Sequence, residues 1–143
     1  MKLLEQLISG KRHKLISVGP DETVFNALAV MAQYDIGALL VMQDGNPVGI
    51  FSERDFARKV VLLGKESKDT PVREVMSDKL VCVTLNQTVE ECMAIMTDRH
   101  FRHLPVLAED GSVAGFLSIG DLVKETISEQ TFIIGQLEHY ISH

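Results

Sequence analysis

A duplication constrains this chain more than any other feature. The segment Gly49-Ile-Phe-Ser-Glu-Arg-Asp55 returns as Gly115-Phe-Leu-Ser-Ile-Gly-Asp121, each copy behind a Val-rich run and an Asp-Gly turn. Upstream, Thr23-Val24, Met31, Leu39 and Val41 match Thr88-Val89, Met96, Leu104 and Val106 at an offset of 65 residues. Downstream, from Asp44-Gly45 and Asp110-Gly111 onward, the offset is 66, so one residue, most simply Glu109, entered the second turn. Turns are where a fold tolerates insertion. Two copies of this length predict a pair of like half-domains rather than an open array of repeats.

Each copy reads as strand, helix, strand, strand, helix. Leu15 to Val18 predicts a strand, and Thr23 caps a helix whose Val24, Ala27, Leu28 and Met31 follow the i, i+3, i+4, i+7 spacing of a buried stripe. Ile36 to Met42 is a near-continuous apolar run suited to a strand covered on both faces. Asp44-Gly45 signals a hairpin, and Val48 to Phe51 returns. In the second copy Leu80 to Val83 is the first strand, Thr88-Val-Glu-Glu91 is a capping box, and Val89, Cys92, Met93 and Met96 form the stripe. Leu104 to Leu107 and Val113 to Leu117 make its hairpin.

Residues 64 to 70 form a polar linker, and Pro71 starts one helical turn through Met76. The domain boundary is drawn there: 1–70 for the first copy with its N-terminal segment, 71–143 for the second with its tail. The tail from Ile119 predicts helix with a break near Gln130, and its apolar residues fit packing on a partner subunit. Acidic residues among its polar positions argue against membrane binding.

The 143 residues carry a net charge of −6. Residues 1 to 70 hold nine basic and nine acidic side chains, residues 71 to 143 five and eleven, so the excess lies in the second copy. With no sustained Lys/Arg stripe, the chain lacks the electrostatic footprint of a nucleic-acid partner. Lys11-Arg-His-Lys14 is the one dense basic cluster, either a solvated face or an arm that reaches phosphate. No apolar run approaches the ~18 residues a membrane span needs, and the start lacks the features of a signal peptide, so a cytoplasmic protein is expected. Cys82 and Cys92 sit in apolar patterning without metal or redox spacing and read as buried free thiols. The five histidines show no metal spacing, and no nucleophile elbow occurs, so catalysis is not expected.

In order and in duplicate, these residues resemble the tandem CBS domain, or Bateman module. The carriers are Val18-x-Pro20-x-x-Thr23-Val24, Ile36 to Val41 and Gly49 to Asp55 in one copy, with Thr88-Val89, Arg102-His-Leu-Pro-Val106 and Gly115 to Asp121 in the other. The resemblance spans about Leu15 to Val123. It implies an α/β (α+β) fold of two pseudo-symmetric βαββα units packed through their sheets. It also implies clefts that take adenosine-containing ligands such as AMP, ADP, ATP, NAD or S-adenosylmethionine, in a module that senses rather than catalyses and commonly dimerises.

The Ser-x-x-Asp motifs carry two readings. Placed where a strand turns into a helix, Ser52 and Ser118 with the free N–H groups of the helix start favour a phosphate, while Asp55 and Asp121 can accept the hydroxyls of a ribose. The same spacing is a capping box that is useful without any ligand. Two copies inside a matching repeat favour ribose and phosphate binding.

Further contacts come from the resemblance alone. It puts a basic pair before the second strand, here Arg102-His103, where the first copy has Ile36-Gly37. The sites are therefore expected to be unequal: a ligand held by Asp55 meets Arg102 or His103 across the cleft, and one held by Asp121 looks to Arg54. Lys14 joins the candidates as the phosphate-reaching arm. Ile36 and Ala38 in one copy, and Phe101 and Val83 in the other, sit where the family lines an adenine slot, a role suited to apolar walls. The expected function is a regulatory sensor of an adenine nucleotide (AMP, ADP or ATP) or NAD, acting as a homodimer or through an unidentified protein effector. The competing reading is a purely structural dimerisation module.

Overall fold

A computed structural model of the chain describes residues 2–9 and 15–142, Ser142 by its backbone alone. Helix α1 (Leu4–Ser9) precedes strand β1 (Ser17–Val18), helix α2 (Val24–Tyr34), strands β2 (Ala38–Gln43) and β3 (Asn46–Ser52), and α3 (Glu53–Asp55), which runs on as a π-helical turn, Phe56–Val61. A 3-10 turn at Val72–Glu74 leads to β4 (Val83–Thr84), α4 (Val89–Arg99), β5 (His103–Leu107), β6 (Val113–Ser118) and the long α5 (Ile119–Ser142). The two copies form separate three-stranded sheets, β1-β2-β3 and β4-β5-β6, each with one parallel and one antiparallel pairing.

Local chemistry starts and stops these elements at matching places. Thr23 Oγ1 accepts from Asn26 N–H at 3.1 Å, and Thr88 Oγ1 accepts from Glu91 N–H at 3.1 Å. Each helix ends on a left-handed residue, Asp35 (φ 53°) or His100 (φ 59°), which turns the chain into the next strand. The Asp44-Gly45 turn has both residues at positive φ, as a tight hairpin requires.

The pleat of β2 sends alternate residues into different cores. Leu39 and Val41 join Val24, Ala27, Met31 and Phe51 under α2, while Ala38, Leu40 and Ile50 face the other sheet beside Val113 and Phe116. Hence the unbroken apolar run. Leu104, Val106, Leu117 and Leu122 form the corresponding core of the second copy. The fold is two βαββα-type units joined sheet to sheet.

Both cores borrow from elsewhere in the chain. Leu4 and Leu7 of α1 are fully sheltered in the second unit's core, and Leu4 and Glu5 N–H donate to Gln87 and Leu85 carbonyls at 2.9 and 3.0 Å. Val72 and Val75, beyond the linker, lie in the first unit's core, and Val72 N–H donates to Glu22 O at 2.8 Å. Gly49 and Gly115 make room for these crossings: a Cβ at Gly49 would strike the Met76 side chain, and one at Gly115 would lie 2.9 Å from Ile8 Cδ1.

Several expectations need correction. Helix α5 does not break at Gln130, a good helix former with no Pro or Gly beside it. The first strands of both units are shorter than expected, because parallel pairing to β2 and β5 covers two residues each, and Leu80 instead packs between the sheets. Cys82 is exposed rather than buried. Cys92 is buried, and burial followed by the neighbouring Glu91 charge pushes its thiol up to about 11, so it is inert at neutral pH.

Candidate functional site

Two clefts open where the sheets meet, with volumes of about 400 and 360 Å³, within the range of small-ligand sites. The first is built around Ser52 and Asp55 and the second around Ser118 and Asp121, so each motif ends at its own cleft. They share Gly37 and His103 as a common wall. That follows from strand register: Ala38 pairs with Ser52 and His103 with Ser118, and both face the opposite sheet.

The same register shifts the expected correspondence by one residue. Arg102-His103 matches Gly37-Ala38, not Ile36-Gly37, because Leu39 and Leu104 are equivalent core positions. Neither pair of the first copy carries a cation.

Both motifs form their local caps. At the first, Ser52 N–H and Oγ–H donate to Asp55 Oδ2 at 2.9 and 3.0 Å, and Asp55 N–H donates to Ser52 Oγ at 3.2 Å. Asp55 Oδ1 meets Lys59 Nζ at 3.2 Å. At the second, Ser118 N–H donates to Asp121 Oδ2 at 2.9 Å and Asp121 N–H to Ser118 Oγ at 3.1 Å. Each carboxylate thus closes a helix start while lining its cleft.

Charge divides the clefts. The Asp55 cleft gathers Arg54, Lys79, Arg102 and His100 with the shared His103. The described lining of the Asp121 cleft holds Asp35 and Asp121 with His103 as its basic group. In a chain of net charge −6 this clustering of cations is local and pronounced.

His103 stacks on Phe116, with ring centroids 5.3 Å apart and planes at 17°. Burial pushes its imidazole below the ordinary histidine range; Asp121 pulls it back up and Arg102 pushes it further down. It is therefore largely neutral at pH 7.

Of the expected residues, Ser52, Arg54, Asp55, Phe101, Arg102 and His103 line one cleft, and Ile36, Ala38, Ser118 and Asp121 line the other with His103. Arg54 does not reach the Asp121 cleft. It lies on the first turn after Ser52 and so faces the cleft of its own motif. Val83 lines neither cleft, because its pairing with Val106 points it into the second unit's core at 0% exposure. Lys14 lies outside the described residues, as does the whole 11–14 cluster. Lys79, Ser77 and His100 were missed. Lys79 was within reach, since the 65-residue offset maps Lys14 onto it.

A family model described as CBS domain matches residues 8–62 and 72–128. The mitochondrial CBS domain-containing protein CBSX3 of Arabidopsis thaliana is 38% identical over 126 residues, covering 85% of this chain and 61% of that protein. The chain thus spans less than two thirds of that relative. Among solved structures, the CBS domain NE2398 is 53% identical with a TM-score of 0.82, covering 88% of this chain and 98% of the other. A CBS-domain protein of Burkholderia ambifaria is 42% identical with a TM-score of 0.84, covering 90% and 96%. Two matched segments, one in each sheet unit, make this chain a member of the CBS-domain family that carries two CBS domains in one polypeptide.

Proposed function

We propose that the chain is a regulatory sensor whose Asp55 cleft binds an adenosine-containing ligand, AMP, ADP, ATP or NAD, and whose output passes through its own assembly or a protein partner. The observation that carries this reading is the gathering of Arg54, Lys79 and Arg102 around Ser52 and Asp55. Arginine forks and a lysine suit phosphate oxygens. The Asp55 carboxylate suits ribose hydroxyls, which would compete with Lys59 for Oδ1, and Phe101 and Ile50 supply apolar wall for a base. The proposed location is a reducing compartment such as the cytoplasm, which suits the exposed free thiol of Cys82. Among the described residues no helix is long and apolar enough to cross a membrane.

A thermal-shift screen of the purified chain tests the reading. A ligand at 100 times its dissociation constant adds about 2.7 kcal/mol to stability, or roughly 5 to 12 °C in a chain of this size. The expected result is a shift of that order with one of AMP, ADP, ATP or NAD, lost in Asp55→Ala and retained in Asp121→Ala. No shift with any of them favours the structural module, for which the caps at both Ser-x-x-Asp motifs speak.

The shared histidine adds a pH signature. Because the folded pKa of His103 lies below the unfolded value, the unfolded chain binds more protons; the histidine's contribution to stability is present above about pH 6.5 and lost as pH falls through the folded pKa. A phosphate beside the ring favours the charged form, so binding takes up a proton. Affinity for NAD, whose diphosphate does not titrate in this range, is expected to rise as pH drops from 8 to 6, by at most about tenfold per unit for one proton. Calorimetric titrations across this range should show a flat profile in His103→Gln; an unaltered slope there assigns the proton to another group.

A further inference from the structure

Asp55 reaches its cleft with most of its acceptor capacity already used. Ser52 N–H and Oγ–H both donate to Oδ2, at 2.9 and 3.0 Å, and Lys59 Nζ stands 3.2 Å from Oδ1. An ionised carboxylate offers about four lone-pair positions, so these donors leave about one. A ribose brings a pair of neighbouring hydroxyls. That pair exceeds the room that remains, and one of the present donors must give way.

Lys59 is the donor placed to leave. The Ser52 N–H is fixed by the backbone, and the Ser52 hydroxyl also accepts from Asp55 N–H within the cap. The Lys59 side chain, by contrast, is 43% exposed and regains water when it swings out. A second contact limits that swing, because Nζ also donates to Val75 O at 3.2 Å. Val75 is buried in the first unit's core, so the ammonium is held between the ribose acceptor and the segment that enters from the linker. The turn that carries Lys59 is π-helical, a widened coil that recurs at functional sites.

The second copy lacks this arrangement. The 66-residue offset puts Glu125 where the first copy has Lys59. Glu125 is 14% exposed and pairs with Lys2 Nζ at 2.7 Å, so it too fastens a segment that crosses into its unit. It has the same sign as Asp121, and no ion pair reaches Asp121 among the described residues. One position thus fastens a crossing segment in both copies and touches the motif carboxylate in the first alone.

We propose that Lys59 sets the sugar specificity of the Asp55 cleft. The paired hydroxyls of a ribose are accepted only when Lys59 releases Oδ1, whereas a 2′-deoxyribose, with a single hydroxyl to place, fits the capacity that is left. This rests on the reading of that cleft as an adenosine site and deepens it.

Calorimetric titration of the full chain with adenosine and 2′-deoxyadenosine tests the proposal. Both nucleosides are uncharged, so loss of a cation acts on them alike. Lys59→Met keeps the stem and removes the competing donor. Adenosine is expected to bind it about two- to fivefold tighter than the wild type, the strength of a partly exposed ion pair, with 2′-deoxyadenosine little changed. The preference for ribose then widens by the same factor, and Lys59→Arg, which restores a cationic donor, should return it to the wild-type value. A merely structural role for Lys59 would move both nucleosides together. A preference unmoved in Lys59→Met, or affinities that fall together, overturns the role of Lys59 and assigns the second acceptor position to a turn of the Ser52 hydroxyl. Adenosine that binds neither protein, or binds Asp55→Ala as well as the wild type, overturns the reading of the cleft and the proposal with it.

Discussion

Leu7→Ala is expected to lower folding stability by about 2–5 kcal/mol, the cost of deleting a fully enclosed leucine side chain. The loss should fall on the second unit, although Leu7 belongs to the first ten residues of the chain. Leu7 and Leu4 fill the core formed by Val83, Val89, Cys92, Met96 and Leu104, and α1 is tied there by backbone hydrogen bonds to Leu85 and Gln87. Chemical denaturation reads the magnitude. Hydrogen exchange reads the location, with amides of α4 and β5 losing protection before those of α2 and β2. Leu62→Ala, the same truncation at a side chain 76% exposed, should change stability by no more than about 0.5 kcal/mol. A cost at Leu7 below 1 kcal/mol, or protection lost first in the first unit, would show that α1 is an appendage and not part of that core.

That exchange of segments marks the limit of what was legible in the residues. The duplication predicted the architecture because local signals repeat with it: Thr23 and Thr88 cap, Asp44-Gly45 and Asp110-Gly111 turn, and Leu39 and Leu104 occupy matching pleats. Nothing comparable tells a six-residue amphipathic piece such as Leu4–Ser9 which of two similar cores it will enter. Crossing over is a property of the chain's path, and its one trace in the sequence is the pair Gly49 and Gly115, whose missing side chains admit Met76 and Ile8.

The site was legible to a similar depth. Ser52, Asp55, Ser118 and Asp121 stand at clefts because a Ser-x-x-Asp that ends an inward-facing strand must put its helix start at the sheet edge. Which cations share a cleft was less evident, since it depends on strand register and on loops that follow no period. Arg54 went to the wrong cleft in the sequence reading for this reason. Val83 belongs to a core and not to a cleft for another reason: in a two-residue strand, one step of pleat separates a cleft wall from a core position.

Arg54→Ala and Arg102→Ala are each expected to weaken ADP binding by roughly 10- to 100-fold, in line with about 1.5–3 kcal/mol for a hydrogen bond to a charged group. The double variant should bind at least as weakly as the worse single variant, with Lys79 retaining part of the attraction. Both arginines are exposed, so folding should change by no more than about 0.5 kcal/mol. The comparison that decides their role uses adenosine, which has the same ribose and base but no phosphate. If the arginines serve phosphate, adenosine affinity stays within about twofold in both variants, and Asp55→Ala, which removes the ribose acceptor, weakens adenosine and ADP alike. Rising salt should weaken ADP binding to the wild type and have less effect on the double variant, since screening acts on the charges that have been removed. Equal losses for adenosine and ADP in the arginine variants would mean that Arg54 and Arg102 shape the cleft rather than hold an anion. The phosphate would then have to be met by Lys79 and the N–H groups at the start of α3.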